Sequence, residues 1–179
     1  MNKTVKICLY GPESVGKSGL AIQLAEMFQT NYVLEQARNF IVSNDFSVED
    51  IIKIGKAQNE AVKKASSVSN KVLFCDTDLI TTQIYSKYYL NQIPEVLFEL
   101  EKEVNYDFYF LLDIDIEWVA DGLRDLGHKR KEMYEIFKSE LEIRGIEYVK
   151  VNGIWENRLK IVLNTLKEKF NLVPINSVQ

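Results

Sequence analysis

The run Val5-Lys6-Ile7-Cys8-Leu9-Tyr10 is mostly apolar, the pattern of a strand buried on both faces. Downstream the spacing changes, and Leu20, Ala21, Leu24, Ala25 and Phe28 recur at helical period. The same alternation continues along the chain. Residues 31–34 predict a second strand, and Glu35 to Phe40 opens another helix. Ser47, followed by Glu49 and Asp50, has the form of an N-cap with acids in the first turn, and predicts a helix running to about Ser66. Lys71 to Cys75 predicts a third strand, ended by Asp76-Thr77-Asp78. A helix carrying Thr81, Thr82, Ile84, Tyr85 and Tyr88 follows, and Pro94 begins another that ends near Val104. Phe108 to Leu112 is a fourth strand and Tyr148 to Val151 a fifth. Helices over 131–144, with Gly145 after it, and 154–170 complete the pattern. The polar stretch from Asp113 to Lys131 is expected to be a mobile excursion.

Between the first strand and the first helix stands Gly11-Pro12-Glu13-Ser14-Val15-Gly16-Lys17-Ser18, a match to G-x-x-x-x-G-K-[ST], the phosphate-binding P-loop. Gly11 and Gly16 allow backbone dihedrals that aim successive N–H groups at phosphate oxygens, and the helix behind presents its positive end to the same anion. Lys17 brings a charge to the terminal phosphates, and the Ser18 hydroxyl is suited to ligate Mg²⁺. With this loop, strands too apolar for one-sided burial predict an α/β chain. The expected architecture is a three-layer P-loop NTPase fold, with a five-stranded parallel sheet covered by helices on both faces.

Length and composition add limits. At 179 residues, one domain is the expectation. Charged residues make up 27% and hydrophobic ones 46%, which excludes disorder and gives no membrane span. A net charge of −4 argues against a general nucleic-acid partner. Met1-Asn2-Lys3 leads directly into the first strand, so no signal peptide is read and cytoplasmic residence is expected. Cys8 and Cys75 fall inside strand-like runs and are read as small core residues rather than metal ligands. No oligomeric state is implied.

Ligands of such sheets bind beyond the C-terminal strand ends, which directs attention to Glu35, Asp76, Asp78, Asp113 and Asn152. Asp76 closes a Walker B-like strand and is the expected Mg²⁺ partner opposite Ser18; its alternative, shared with Asp78, is to cap the next helix. Glu35 is read as the carboxylate that accepts a proton from an attacking hydroxyl, with Arg38 on the same helical face steadying substrate or phosphoryl group. The competing account of that pair is a surface ion pair. In the excursion lie Trp118, Asp121, Arg124, His128 and Arg130. Arg124 is the preferred lid arginine, Arg130 with its lysine neighbours reads as a solvated charge run, and His128 as an exposed lid residue. Trp118 either stacks on a substrate ring or packs the excursion onto the body.

The combination of the P-loop with Leu34-Glu35-Gln36-Ala37-Arg38, Phe74-Cys75-Asp76-Thr77-Asp78 with Thr81-Thr82, and Trp118-Val119-Ala120-Asp121-Gly122-Leu123-Arg124 resembles the ribosylnicotinamide kinase domain of the NadR family. The resemblance runs from about Lys6 to the closing helix. It implies a deoxynucleoside-kinase-like P-loop fold and phosphorylation of the 5′-hydroxyl of nicotinamide riboside by ATP with Mg²⁺. In that reading Lys17, Glu35 and Arg124 are catalytic, Gly11 to Ser18 hold ATP, Ser18 and Asp76 hold the metal, and Glu35, Arg38, Asp78, Thr82, Tyr85, Trp118 and Asp121 meet the substrate. In the family a nucleotidylyltransferase domain precedes this one, so only the kinase step is expected here. The family pattern also places aromatics beside the glutamate, where this chain has Leu34 and Gln36; Tyr32, Tyr85, Tyr88 and Trp118 are the candidate replacements. The reading from another class is a nucleotide-binding regulatory module, using ATP or GTP to order a segment for a protein partner.

Overall fold

A computed structural model describes residues 3–175. Five strands form one parallel sheet: β1 (Val5–Tyr10), β2 (Tyr32–Val33), β3 (Val72–Asp76), β4 (Phe108–Leu112) and β5 (Tyr148–Val151), in the spatial order β2-β3-β1-β4-β5. The helices are α1 (Lys17–Phe28), α2 (Val48–Val68), α3 (Leu79–Leu90), α4 (Glu95–Glu101), α5 (Arg130–Ile143) and α6 (Trp155–Phe170). Because β1 pairs with β3 on one side and β4 on the other, the chain leaves to opposite sides at the C-terminal end of β1. This is the crevice where such sheets bind ligands.

The strands are apolar throughout because both faces are covered. Ile7, Leu9, Phe74 and Phe110 pack with Leu20, Leu24 and Phe28 of α1 and Val162 and Leu166 of α6. The alternate residues Cys8, Tyr10, Tyr109 and Leu111 pack with Ile80 and Ile84 of α3 and Met133, Phe137 and Leu141 of α5. A third cluster of Phe46, Ile51, Ile54, Leu79, Leu97 and Leu100 joins α2, α3 and α4. Both cysteines are buried and free, as core residues.

Ser47 caps α2 in a capping box: its hydroxyl oxygen accepts the Asp50 N–H at 3.2 Å while the Asp50 carboxylate accepts the Ser47 N–H at 3.0 Å. Ser47→Ala should destabilise the protein by about 0.5–1 kcal/mol. A lower urea midpoint at unchanged slope checks this.

Three elements differ from the sequence reading. The helix expected from Glu35 is a single 3-10 turn at Ala37–Asn39. Here the Gln36 side chain donates to the Leu34 carbonyl and accepts from Asn39, while the Gln36 N–H goes to Gln58 on α2, so local and tertiary bonds replace a helical ladder. α4 stops at Glu101, short of Val104. The excursion after β4 is fastened to the P-loop by hydrogen bonds, ends in a 3-10 turn at Gly127–Lys129, and gives way to α5 at Arg130.

Candidate active site

The P-loop leaves β1 at Gly11, whose φ is 140° and where a Cβ would stand 2.9 Å from the Leu112 carbonyl oxygen. Gly16, at φ 88°, caps α1, and no acid stands in that helix's first turn. The exposed N–H groups are thus left for an anion. Lys17 Nζ donates to the Gly11 and Pro12 carbonyls at 2.9 and 2.8 Å, folded over the loop it serves.

The Ser18 hydroxyl donates to Asp76 Oδ2 at the end of β3. Asp76 Oδ1 is buried with no protein partner. Burial holds the Asp76 carboxyl above the ordinary range, against the pull of Lys17. A hydroxyl and an unpartnered carboxylate oxygen are hard donors that fit Mg²⁺. Among the described residues no group of three or more His, Cys, Asp or Glu gathers to hold a metal alone. The rest of such a shell would therefore fall to phosphate oxygens and water.

Thr77, between the two aspartates, has φ 75°, a strained value for a β-branched residue. Its N–H donates to the Leu9 carbonyl at 3.0 Å, and the turn sends Asp78 inward. Asp78, 1% exposed, accepts from the Thr81 N–H at 3.0 Å and the Tyr109 hydroxyl at 2.9 Å. Burial pushes its carboxyl up to about 6. The substrate contact expected of Asp78 is thus corrected: it is the N-cap of α3, the helix that carries Thr82, Tyr85 and Tyr89.

These residues border a cavity of about 540 Å³ whose lining includes Lys17, Ser18, Glu35, Arg38, Asp76, Thr82, Tyr85 and Arg124. Glu35 is half-buried; burial first, then the Asp76 charge, raises its carboxyl, while Lys17, Arg38 and Arg124 oppose the shift. Arg38 pairs with Asp121 at 2.8 Å rather than with Glu35, and Arg124 Nε lies 3.4 Å from the same Asp121 carboxylate. Asp121 and Trp118 do not line the cavity, contrary to the substrate contacts expected of them. Asp121 bridges the two arginines, and Trp118 donates to Glu13 at 3.1 Å and lies over Gly127.

The aromatic wall is also redistributed. Tyr32, Tyr88 and Trp118 are absent from the lining; Phe46 and Tyr89 join Tyr85, with ring centroids 5.5 Å apart between Phe46 and Tyr89 and 6.2 Å between Tyr85 and Tyr89. The sequence reading missed Phe46 and Tyr89. Tyr89 lay next to Tyr88 and was legible as a neighbour of Tyr85 at i, i+4; Phe46 sits in a loop and carried no periodic signal.

Two arginines support the loop from behind. Arg130, expected to be solvated, is half-buried and donates to the Ile116 carbonyl at 2.7 Å and the Ser14 carbonyl at 3.4 Å. Arg158, unnoticed in the sequence, is fully buried on α6. It donates to the carbonyls of Gly153, Val15 and Asp113 at 2.8, 2.9 and 3.0 Å and pairs with Asp115. The available signal was its place on an apolar stripe with Val162 and Leu166. His128 is exposed.

Comparison with known proteins agrees with this fold. A crystal structure of NadR protein in complex with NR superposes with a TM-score of 0.81 at 20% identity, covering 99% of this chain and 54% of that one. Deoxyadenosine kinase from M. mycoides with products bound superposes with a TM-score of 0.65 at 11% identity, covering 92% and 100%. The trifunctional NAD biosynthesis/regulator protein NadR of Escherichia coli (strain K12) is 36% identical over 153 residues, 81% of this chain; the chain spans 37% of that relative's length. The model of the AAA domain family matches residues 6–158, the whole stretch from β1 to the buried arginine of α6, and the chain belongs to that family.

Proposed function

We propose that this protein is an ATP- and Mg²⁺-dependent kinase that phosphorylates the 5′-hydroxyl of nicotinamide riboside, or of a closely related nucleoside, in NAD salvage. The observation that carries the reading is that one cavity is lined by the phosphate loop, the half-buried Glu35 and an aromatic group of Phe46, Tyr85 and Tyr89. A nucleoside offers the matching chemistry: a hydroxyl for the carboxylate and the phosphate loop, and a planar ring for the aromatic side chains. The NadR likeness supports this choice of acceptor.

In this mechanism the loop amides and Lys17 bind the triphosphate, with Lys17 exchanging its bonds to the Gly11 and Pro12 carbonyls for phosphate oxygens. Ser18 and Asp76 would hold Mg²⁺, which supplies neutralisation of the charge on the phosphates. Glu35 orients the acceptor hydroxyl and accepts its proton as the oxygen bonds to the γ-phosphorus and the bond to the β–γ bridging oxygen breaks. Arg38 and Arg124 face the charge on the transferring group. Alignment and charge neutralisation do most of the work, since phosphoryl transfer needs little covalent help.

An acceptor panel tests this. Purified protein with Mg²⁺ and labelled ATP is offered nicotinamide riboside, ordinary nucleosides or no acceptor, and products are read by mass. Nicotinamide mononucleotide is the expected product. Bound nucleotide with no acceptor phosphorylated would overturn the kinase reading in favour of a module that works through a protein partner.

A further inference from the structure

We propose that Glu13, one of the variable positions of the P-loop, is a positioning residue that anchors the segment 119–126 and thereby sets Arg124 and Leu123 against the acceptor cavity. Its effect on catalysis rests on the kinase reading above; the anchoring does not.

The segment 119–126 is a flap tied at both ends to consecutive P-loop residues. At its start the Val119 N–H donates to Ser14 Oγ at 2.9 Å. At its end the Leu126 N–H donates to Glu13 Oε1 at 2.7 Å, and the indole N–H of Trp118 reaches the same oxygen at 3.1 Å. The Trp118 ring fills the space over Gly127, where a Cβ would come within 2.7 Å of it. Leu126, 4% exposed, plugs into the core between α3 and α5. Between the ties, Asp121 Oδ1 accepts the N–H groups of Leu123 and Arg124 at 3.0 and 3.1 Å, and Asn44 donates to the Leu123 carbonyl at 3.0 Å. Only Leu123 and Arg124 of this segment line the cavity.

A carboxylate beside a phosphate site works against anion binding, since like charges repel. Phosphate chemistry asks nothing of the side chain at this position, because the loop binds through its main chain. What Glu13 supplies is one carboxyl oxygen that accepts two N–H groups at once, a tie that joins Trp118 and Leu126 to the loop. Its half-buried position keeps water from replacing those bonds.

The test compares Glu13→Ala, Glu13→Gln and Trp118→Phe with the wild type by hydrogen exchange over residues 118–127 and by acceptor and nucleotide titrations. In Glu13→Ala, exchange in the flap should quicken about tenfold or more, the loss expected for two hydrogen bonds. The acceptor KM should rise by about the same factor, and by more than the nucleotide Kd does. Glu13→Gln should recover most of both, because an amide oxygen still accepts the two N–H groups. Trp118→Phe, which removes one donor without touching the P-loop, should quicken exchange less than Glu13→Ala, and in the same segment. Wild-type exchange in Glu13→Ala, or a Glu13→Gln that behaves like Glu13→Ala, would overturn the proposal. If the wild type phosphorylates no acceptor while the exchange pattern holds, the kinase reading fails and the anchoring stands.

Discussion

Lys17→Ala abolishes nucleotide-dependent phosphoryl transfer, a loss of about 10³-fold or more, the scale set by removing a charge aimed at a transferring phosphoryl group. Lys17 is the cation that begins α1 and lies directly over the loop, donating to the carbonyls of Gly11 and Pro12. Lys17 itself is only partly buried and lines the cavity, so truncation opens space at the cavity wall rather than in the core and leaves the fold intact. A far-ultraviolet spectrum and urea midpoint near those of the wild type, with transfer lost, would separate chemistry from folding. Full transfer by this variant would remove the P-loop from the mechanism.

Glu35→Gln lowers transfer by about 10² or more, the usual range for a general base. The amide keeps the size and hydrogen-bonding reach of the carboxylate but cannot take a proton, so nucleotide affinity should stay close to that of the wild type. The pH dependence gives an independent check. Burial and the neighbouring Asp76 charge raise the Glu35 carboxyl, and a base works only when ionised. Wild-type activity should therefore fall on acidification through a midpoint above the roughly 4.3 of an ordinary glutamate. That limb should vanish from the residual activity of Glu35→Gln. Unchanged transfer in the variant would remove Glu35 from the chemistry.

The layering of this molecule was legible because its signals are local. An apolar run such as Val72 to Cys75 is buried on both faces whatever its neighbours, and the P-loop consensus fixes the turn between β1 and α1. The site was legible only as far as it follows strand ends. Glu35 and Asp76 were singled out that way, and both border the cavity. What failed was partner choice among polar residues. Asp78 and Asp76 look alike in sequence, yet the left-handed turn at Thr77 sends one into the core and leaves the other at the cavity. Arg38 was expected to work with Glu35 and pairs instead with Asp121, 83 positions away. Arg130 and Arg158 were hard to read as supports because their bonds to the loop go to the Ser14 and Val15 carbonyls, and backbone carbonyls carry no sequence identity.

Arg158 has a consequence for how the protein must be made. Its bond to the Val15 carbonyl spans 143 positions, so the shape of a loop near the start of the chain is completed by a side chain near its end. A nascent chain released before α6 would contain the whole P-loop and still lack the guanidinium that braces it. Closing so long a span carries an entropic cost that is met late. Nucleotide binding during synthesis should accordingly switch on only after α6 has emerged, and a chain ending after β5 should bind nucleotide poorly despite its complete P-loop.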